Sequence, residues 1–541
     1  MNEQNEIPAE NTLMPPQPEI PAPAGQLVYT QAAMPRTYTP HTATKWDTLP
    51  HDAVFACLSC LLGFLMMRYV IVMADGIVTT LCFLLLYGFS ALYIRKSGCK
   101  PKPVHRLLGA VICIFSLSFS ITASALVHGL TFLFLMPAIV WRTHAVCGGA
   151  GFVTRYFPLD LCASVIEKPF QHFTAGPQAV SDSMKKSAAA TAVKTTVLGL
   201  LVTIPLTIVV GVLLASADSG IEKLFGQFGN MLTENAVQLI LQLLFGIPCG
   251  IWLFAFLFSA AQRKRKPDPF PSDAVYAEKL NGLRFAPNLG LYAGVTPICL
   301  LYLVYVISQT NYFLSAFAGK LPEGMIYSEY ARRGFFELCA IAVINLIVLL
   351  VLTGCAKKGG ADRPKALTVY AVILCLFTLF IIATALAKMV LYISAYGMTP
   401  LRVYTTWFMV LLTMVFLVLL VRQFTAKLPT AAVLTGLFIV MLGGLCFSRP
   451  DARIAEYNIR RWEQGTLSEL DVKTLCELSD DAYNVMAHYR ELLVRADKWD
   501  YVVREGRSRV DNYREHKDLS WNYSAQLLIQ QLTALPVDQR G

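Results

Sequence analysis

Residues 366–387 read ALTVYAVILCLFTLFIIATALA, with no charged side chain between Lys365 and Lys388. A run of this length and composition fits the hydrocarbon core of a bilayer, which takes about 20 apolar residues per helix. Backbone polar groups find no water there, so such a run is read as a helix. Working outward, comparable runs lie at 53–73, 77–94, 107–126, 128–141, 197–217, 237–261, 289–308, 335–354, 404–421 and 430–447. With 368–388 they make eleven expected spans. The fourth, 128–141, is short, carries His128 and Pro137, and is expected to pair with the third as a hairpin. Composition agrees: 55% of the chain is hydrophobic and 15% charged, where a soluble chain carries about 25% charged residues. The expected fold class is all-α. It is a polytopic transmembrane helix bundle of about 11 spans, with a disordered Pro-rich N-terminus and a small C-terminal helical region.

Lys and Arg sort onto every second connection. Five lie in 95–106, six in 142–196, and six in 262–288, including Arg263-Lys264-Arg265-Lys266. Four more lie in 355–367 and two in 422–429, whereas the alternate connections hold five in total. By the positive-inside rule the cation-rich set faces the cytoplasm. The N-terminus is then expected in the cytoplasm and the C-terminal region outside. The formal net charge of +10 is accounted for by this topology and not by nucleic-acid binding. The expected partner is the lipid bilayer, with an envelope or small-molecule ligand besides.

The soluble ends differ. Residues 1–50 hold nine prolines and few large apolar residues, too little to offset the entropy of ordering. No signal peptide is legible there, so the first span is expected to direct insertion. Residues 51–447 form the expected membrane domain. Residues 448–541 carry 14 Lys/Arg and 16 Asp/Glu. Their apolar residues recur at helical spacing, among them Ile454, Tyr457, Leu475, Leu478, Tyr483, Met486 and Trp499. Two to four short helices packed as a small bundle are expected, one starting at Ser479-Asp480-Asp481. The segment Phe157–Phe173 alternates apolar and charged residues as an amphipathic helix lying on the cytoplasmic membrane surface would.

Motifs of known chemistry are sparse. The 14 cysteines lie mostly in spans, and Cys57-x-x-Cys60 lacks the second pair of a zinc site. No P-loop, Gly-x-Ser-x-Gly or His-Glu-x-x-His occurs. No motif names a cofactor, a metal ligand set or a catalytic residue. The informative polar residues come late, in three segments: Tyr327, Glu329, Tyr330, Arg332, Arg333 and Glu337; Lys388, Tyr392, Tyr396, Thr399 and Arg402; and Asp451, Tyr457 and Asn458. The topology puts all three at the outer membrane face, where Arg forks and Tyr hydroxyls make a candidate cluster for an anionic or polar ligand. Tyr and Arg also gather at membrane interfaces for solvation alone. Glu337 and Lys388 fall inside hydrophobic spans, where a lone charge costs about 2.5–3.5 kcal/mol, and are expected to pair. Asn345, Gln238 and Gln242 read as interhelical hydrogen-bonding residues.

These late blocks resemble a family. Tyr327-x-Glu329-Tyr330-Ala-Arg332-x-Gly-Phe-Phe-Glu337-Leu is similar to the signature of bacterial multi-pass proteins grouped as domains of unknown function 4153 and 4173. Tyr392-Ile-x-x-Tyr396-Gly-x-Thr399-x-x-Arg402 resembles a second block. Pro450-Asp451-Ala-x-Ile454-Ala-x-Tyr457-Asn458-Ile459, with Leu478-Ser479-Asp480-Asp481-Ala482 after it, resembles a third. The blocks cover about 290–500, and Arg449 stands where the family usually has Asn. The resemblance implies a bacterial plasma (inner) membrane protein and carries no activity. Three function classes follow: a non-enzymatic envelope protein binding a polar or anionic ligand at its outer face, a transporter of a small solute, and a transferase acting on a lipid-linked substrate. The first is favoured, because no catalytic constellation stands out.

Overall fold

A computed structural model of the chain describes residues 46–72, 76–148, 153–154, 156–184, 234–265, 288–308, 335–356, 365–425, 427–515 and 521–533, with isolated positions 203, 207, 210 and 278. Nearly all of the Pro-rich segment 1–50 lies outside them. The protein is an all-α membrane protein. Ten helices among the described residues are long and apolar enough to cross a membrane. They coincide with ten of the eleven expected spans, and the remaining one, 197–217, lies outside the described residues but for three helical positions.

In chain order the elements begin with α1 (Asp52–Met66), which continues as a π-helix over Met67–Val72, then α2 (Gly76–Lys96), α3 (Pro103–Ser116), the single turn α4 (Ser118–Ile121) and α5 (Ala125–Gly148). Next come α6 (Phe157–Cys162), a π-helical turn at Ala163–Glu167, α7 (Lys168–Gln171), α8 (Ala175–Met184) and α9 (Glu234–Arg265). The later membrane helices are α10 (Asn288–Ser308), α11 (Phe335–Cys355), α12 (Lys365–Tyr396), α13 (Pro400–Phe424) and α14 (Thr430–Phe447). The C-terminal helices are α15 (Pro450–Glu463), α16 (Val472–Cys476), α17 (Asp480–His488), α18 (Arg490–Arg495), α19 (Trp499–Glu515) and α20 (Tyr523–Thr533).

The membrane helices pack in two groups. In the first, α1 crosses α9, and α2, α3 and α5 pack beside them. Gly246 of α9 faces Phe64 and Gly250 faces Cys60 and Ser59. Rising numbers in α9 meet falling numbers in α1, so the two helices are antiparallel. The second group has a core of Leu338, Ala342, Leu349, Leu374, Ile382, Met409 and Phe416 from α11, α12 and α13. Polar glue supplements it. Tyr302 donates to the Asn345 side-chain oxygen at 2.5 Å, and Asn345 donates to Thr378 at 2.9 Å. The expected bonding role of Asn345 is therefore present, in a setting where such bonds contribute about 0.6 kcal/mol each.

Two expectations are corrected. The fourth span packs against the third as expected but is not short: α5 runs 24 residues through Pro137 to Gly148. Residue 142, counted above to a loop, is thus helical and only 5% exposed. The helix that ended the expected ninth span at Lys388 continues two turns, so Tyr392 and Tyr396 lie on α12. At 32 residues it is about 48 Å long, longer than the ~30 Å hydrocarbon core. The amphipathic segment is present as α6, the π-turn and α7, with Leu159, Ile166 and Phe170 exposed and Asp160 and Ser164 buried.

The C-terminal helices enclose their own core, in which Ile454, Leu475, Tyr483, Met486, Leu493, Trp499, Val502 and Leu528 are buried. This small bundle sits on one end of the membrane helices. There the Ile77 amide, at the start of α2, donates to the Trp521 carbonyl at 2.8 Å. The α4–α5 connection and the α12–α13 corner meet the bundle at the same end. These are cation-poor connections in the sequence.

Candidate functional site

At the α12–α13 corner the chain reverses through Gly397, whose φ of +76° suits glycine and strains other residues. Two orphan features of a helix end are resolved here. The last carbonyls of α12 lack intrahelical donors, and Arg402 supplies one: its Nη1 donates to the carbonyls of Tyr396 at 3.1 Å and Gly397 at 2.5 Å. Its guanidinium also lies 3.9 Å from the centroid of the Tyr392 ring. Tyr392 and Tyr396 meet edge to face, with centroids 5.5 Å apart. From α15, Asn458 closes the turn as a strand neighbour would. It accepts from the Met398 amide at 2.7 Å and donates to the Met398 carbonyl at 2.8 Å. Thr399 is the N-cap residue of α13 without a side-chain cap bond.

One turn further along α15, Arg461 donates to the Ser394 carbonyl at 2.6 Å and to the Tyr457 hydroxyl at 3.3 Å. Arg402 and Arg461 thus grip the same helix end from two sides. Among the described residues neither is ion-paired with a carboxylate. Both are partly exposed, as are Tyr392 and Tyr457, and Tyr396 is exposed. The arrangement is a cationic, aromatic shelf.

Of the fourteen candidates, Tyr392, Tyr396, Thr399, Arg402, Tyr457 and Asn458 meet at this corner. Tyr327, Glu329, Tyr330, Arg332 and Arg333 lie outside the described residues. Lys388 is buried one turn below Tyr392, and the Glu337 carboxylate acts electrostatically on it. Asp451, 5% exposed, sits elsewhere, where it accepts from the Ser479 amide at 3.3 Å.

Asp451 leads into a second polar group that sequence reasoning missed. Asp481, on the first turn of α17, is fully buried. It accepts from Thr122 Oγ1 at 2.5 Å, from the Ala123 amide at 3.2 Å and from the Ser524 hydroxyl. Arg449 pairs with it, Nε at 2.7 Å and Nη2 at 2.6 Å. Asn522 donates to the carbonyls of Phe119 at 2.9 Å and Thr122 at 2.7 Å. The neighbouring Asp480 points the other way, to Arg509 at 3.1 Å and the Tyr513 hydroxyl at 2.6 Å. Burial pushes the Asp480 carboxyl above its ordinary range, against the downward pull of Tyr513 and Arg509. The sequence read Asp480-Asp481 as a helix start, which both residues are, and as part of the third family-like block, without a role for either carboxylate. The signal for more was the doubling, since one carboxylate suffices at a helix N-terminus.

A family model described as a domain of unknown function matches residues 109–489, most of the chain. The chain belongs to the DUF4153 family. The matched stretch begins some way before the late motif blocks, so it takes in most of α3 and all of α5 as well as the corner. Thr122 and Asp481, from opposite ends of the matched stretch, meet within one family domain. No curated protein and no solved structure matches the chain.

The corner yields a first expectation. Asn458→Leu removes both bonds to Met398 and leaves a half-buried amide and carbonyl unpaired, at up to about 1–3 kcal/mol each. Thermal unfolding of the purified protein is expected to drop accordingly, with Asn458→Asp intermediate because it retains the acceptor. An unchanged melting temperature for Asn458→Leu would remove the corner clamp from the account.

Proposed function

We propose that this is a non-enzymatic protein of the bacterial plasma membrane, spanning it eleven times, whose outer face binds an anionic polar ligand on the α12–α13–α15 shelf. One observation carries the reading: Arg402 and Arg461 converge on one helix end and are held by carbonyls and tyrosine rings, with no carboxylate of the described residues neutralising them. Arg402 holds the corner through Nη1, and the rest of its fork can meet a phosphate or carboxylate; Arg461, whose Nε and Nη2 donate to Thr466, adds charge, and the tyrosine hydroxyls beside them orient polar groups. The undescribed segment with Glu329, Arg332 and Arg333 belongs to the same outer set on the expected topology. Two features support that topology. Among the described residues the C-terminal bundle meets cation-poor connections, and α5 ends where α1 begins, whereas α9 begins at the opposite end. The end of α5 and the start of α9 thus lie at opposite ends, as the eleven-span count requires.

The test is in two steps. Alkaline phosphatase fused after Gly541 is expected to be active in a bacterial host, and a green fluorescent protein fused there dark. Purified protein is then titrated with geranyl phosphate and a glucuronate oligosaccharide, with geraniol and glucose as neutral controls. An anionic probe is expected to raise the melting temperature saturably, and Arg402→Gln/Arg461→Gln is expected to abolish the shift. A bright fluorescent fusion, or equal responses to charged and neutral probes, overturns the proposal.

A further inference from the structure

Arg142 lies on α5 six residues before its end, about 9 Å of helix, at the opposite end of the bundle from the C-terminal helices. It is 5% exposed. Its Nε donates to the His105 carbonyl of α3 at 3.1 Å, and its guanidinium stands 4.6 Å from the Tyr87 ring centroid of α2. Nη1 is buried without a protein hydrogen-bond partner. Among the described residues no carboxylate pairs with it, and the side chains acting on it electrostatically are Tyr87, Cys113 and Cys147. A buried cation in a membrane helix is costly unless paired. Tyr87 and a single carbonyl offset part of that cost and leave one edge of the fork unused.

The surroundings are built for an anion. Gly109 of α3 faces the pair: a Cβ there would run into the Tyr87 hydroxyl and stand 3.2 Å from Arg142 Nε. The glycine therefore keeps the space that brings the ring and guanidinium together. The last turn of α2, the α2–α3 connection and the first turn of α3 carry Arg95, Lys96, Lys100, Lys102 and Arg106, a local positive field that gathers anions. Arg142 lies within two turns of the cation-rich end of α5 and not at its middle.

We infer that Arg142, framed by Tyr87, His105 and Gly109, is a binding site for a phosphate-bearing anion that enters between α2, α3 and α5. The site is separate from the shelf at the other face and does not depend on that reading. A phosphate oxygen takes the free Nη1 edge in a charge-assisted bond.

The experiment uses full-length protein in neutral detergent at fixed ionic strength, titrated with inorganic phosphate or with mixed micelles of phosphatidylglycerol or phosphatidylcholine. Wild-type protein is expected to gain thermal stability saturably. A response to inorganic phosphate identifies a free anion, and a response to phosphatidylglycerol alone identifies a lipid headgroup. Arg142→Gln and Gly109→Ala are expected to weaken the apparent affinity at least tenfold, and Arg402→Gln/Arg461→Gln to leave it unchanged. Arg142→Lys keeps the charge without the fork and is expected to fall between, which decides the matter if Arg142→Gln does not fold. Absence of any response in the wild type, or an equal response in wild type, Arg142→Lys and Gly109→Ala, overturns the site.

Discussion

Replacing Asp481 with alanine is expected to undock the C-terminal helices from the membrane bundle at a cost of about 3–5 kcal/mol, the range for breaking a buried ion pair by removing one partner. The geometry makes the loss one-sided. Thr122, the Ala123 amide, Ser524 and Arg449 all direct donors at one carboxylate; once it is gone Ser524 keeps only the Ile121 carbonyl and Arg449 only the Ser524 hydroxyl. Arg449→Ala is expected to cost less. Arg449 keeps a side-chain exposure of 31%, so water already shares its solvation, and Asp481 retains its three other donors. Asp481→Asn is expected between the two.

The observable is local. The C-terminal helices have a core of their own, so their helicity persists while the junction opens. Amide hydrogen exchange at Ala123 and through 481–484 and 522–526 is expected to accelerate about a hundredfold to a few thousandfold, since each 1.4 kcal/mol is a factor of ten. Exchange in the α12–α13 corner, held by Asn458 and Arg461 instead, is expected to change less. If Asp481→Ala and Arg449→Ala exchange as the wild type does, the buried carboxylate does not hold the two parts together.

Much of the fold was legible because a bilayer leaves so few choices. A charge-free run such as 366–387 has one solution, and ten expected spans are helices at their expected places. Helix ends were less legible. Apolar content marks the hydrocarbon core and not the helix, so α12 outruns its apolar stretch to carry Tyr392 and Tyr396, and α5 outruns its own to bury Arg142. The motif blocks marked residues that matter, but not what they do. Asn458 and Arg402 read as ligand groups, yet both first serve to close a turn. Arg449 adopts φ +50°, a left-handed conformation uncommon for a non-glycine residue, and from that backbone its side chain reaches Asp481. Its partners Thr122 and Ser524 were invisible in advance, since hydroxyl residues 402 positions apart carry no joint pattern in one sequence.

The close crossing of α1 and α9 gives the second large effect. Gly246-x-x-x-Gly250 on α9 meets Gly63 on α1, the small-residue spacing that lets membrane helices approach at backbone distance. A Cβ on Gly63 would stand 2.5 Å from the Gly250 amide nitrogen, and one on Gly250 would stand 2.5 Å from the Ser59 carbonyl oxygen. One on Gly246 would stand 2.7 Å from the Phe64 Cα. Every obstacle is backbone, so no side chain can swing aside and the helices must separate. Gly250→Ala is expected to cost about 1–3 kcal/mol, the range for overpacking, and Gly250→Leu to prevent recovery of folded monomer. The internal controls are Gly88, Gly129 and Gly436, where a Cβ meets nothing within 4 Å. Alanine there is expected to be neutral or stabilising by about 0.5–1 kcal/mol, because it removes glycine's conformational freedom from a helix interior. Size-exclusion profiles and melting temperatures of Gly63→Ala, Gly250→Ala, Gly88→Ala and Gly436→Ala decide it. If the four behave alike, α1 and α9 do not cross at backbone contact. A loss confined to the first pair ties the close antiparallel crossing of α1 and α9 to Gly63 and Gly250.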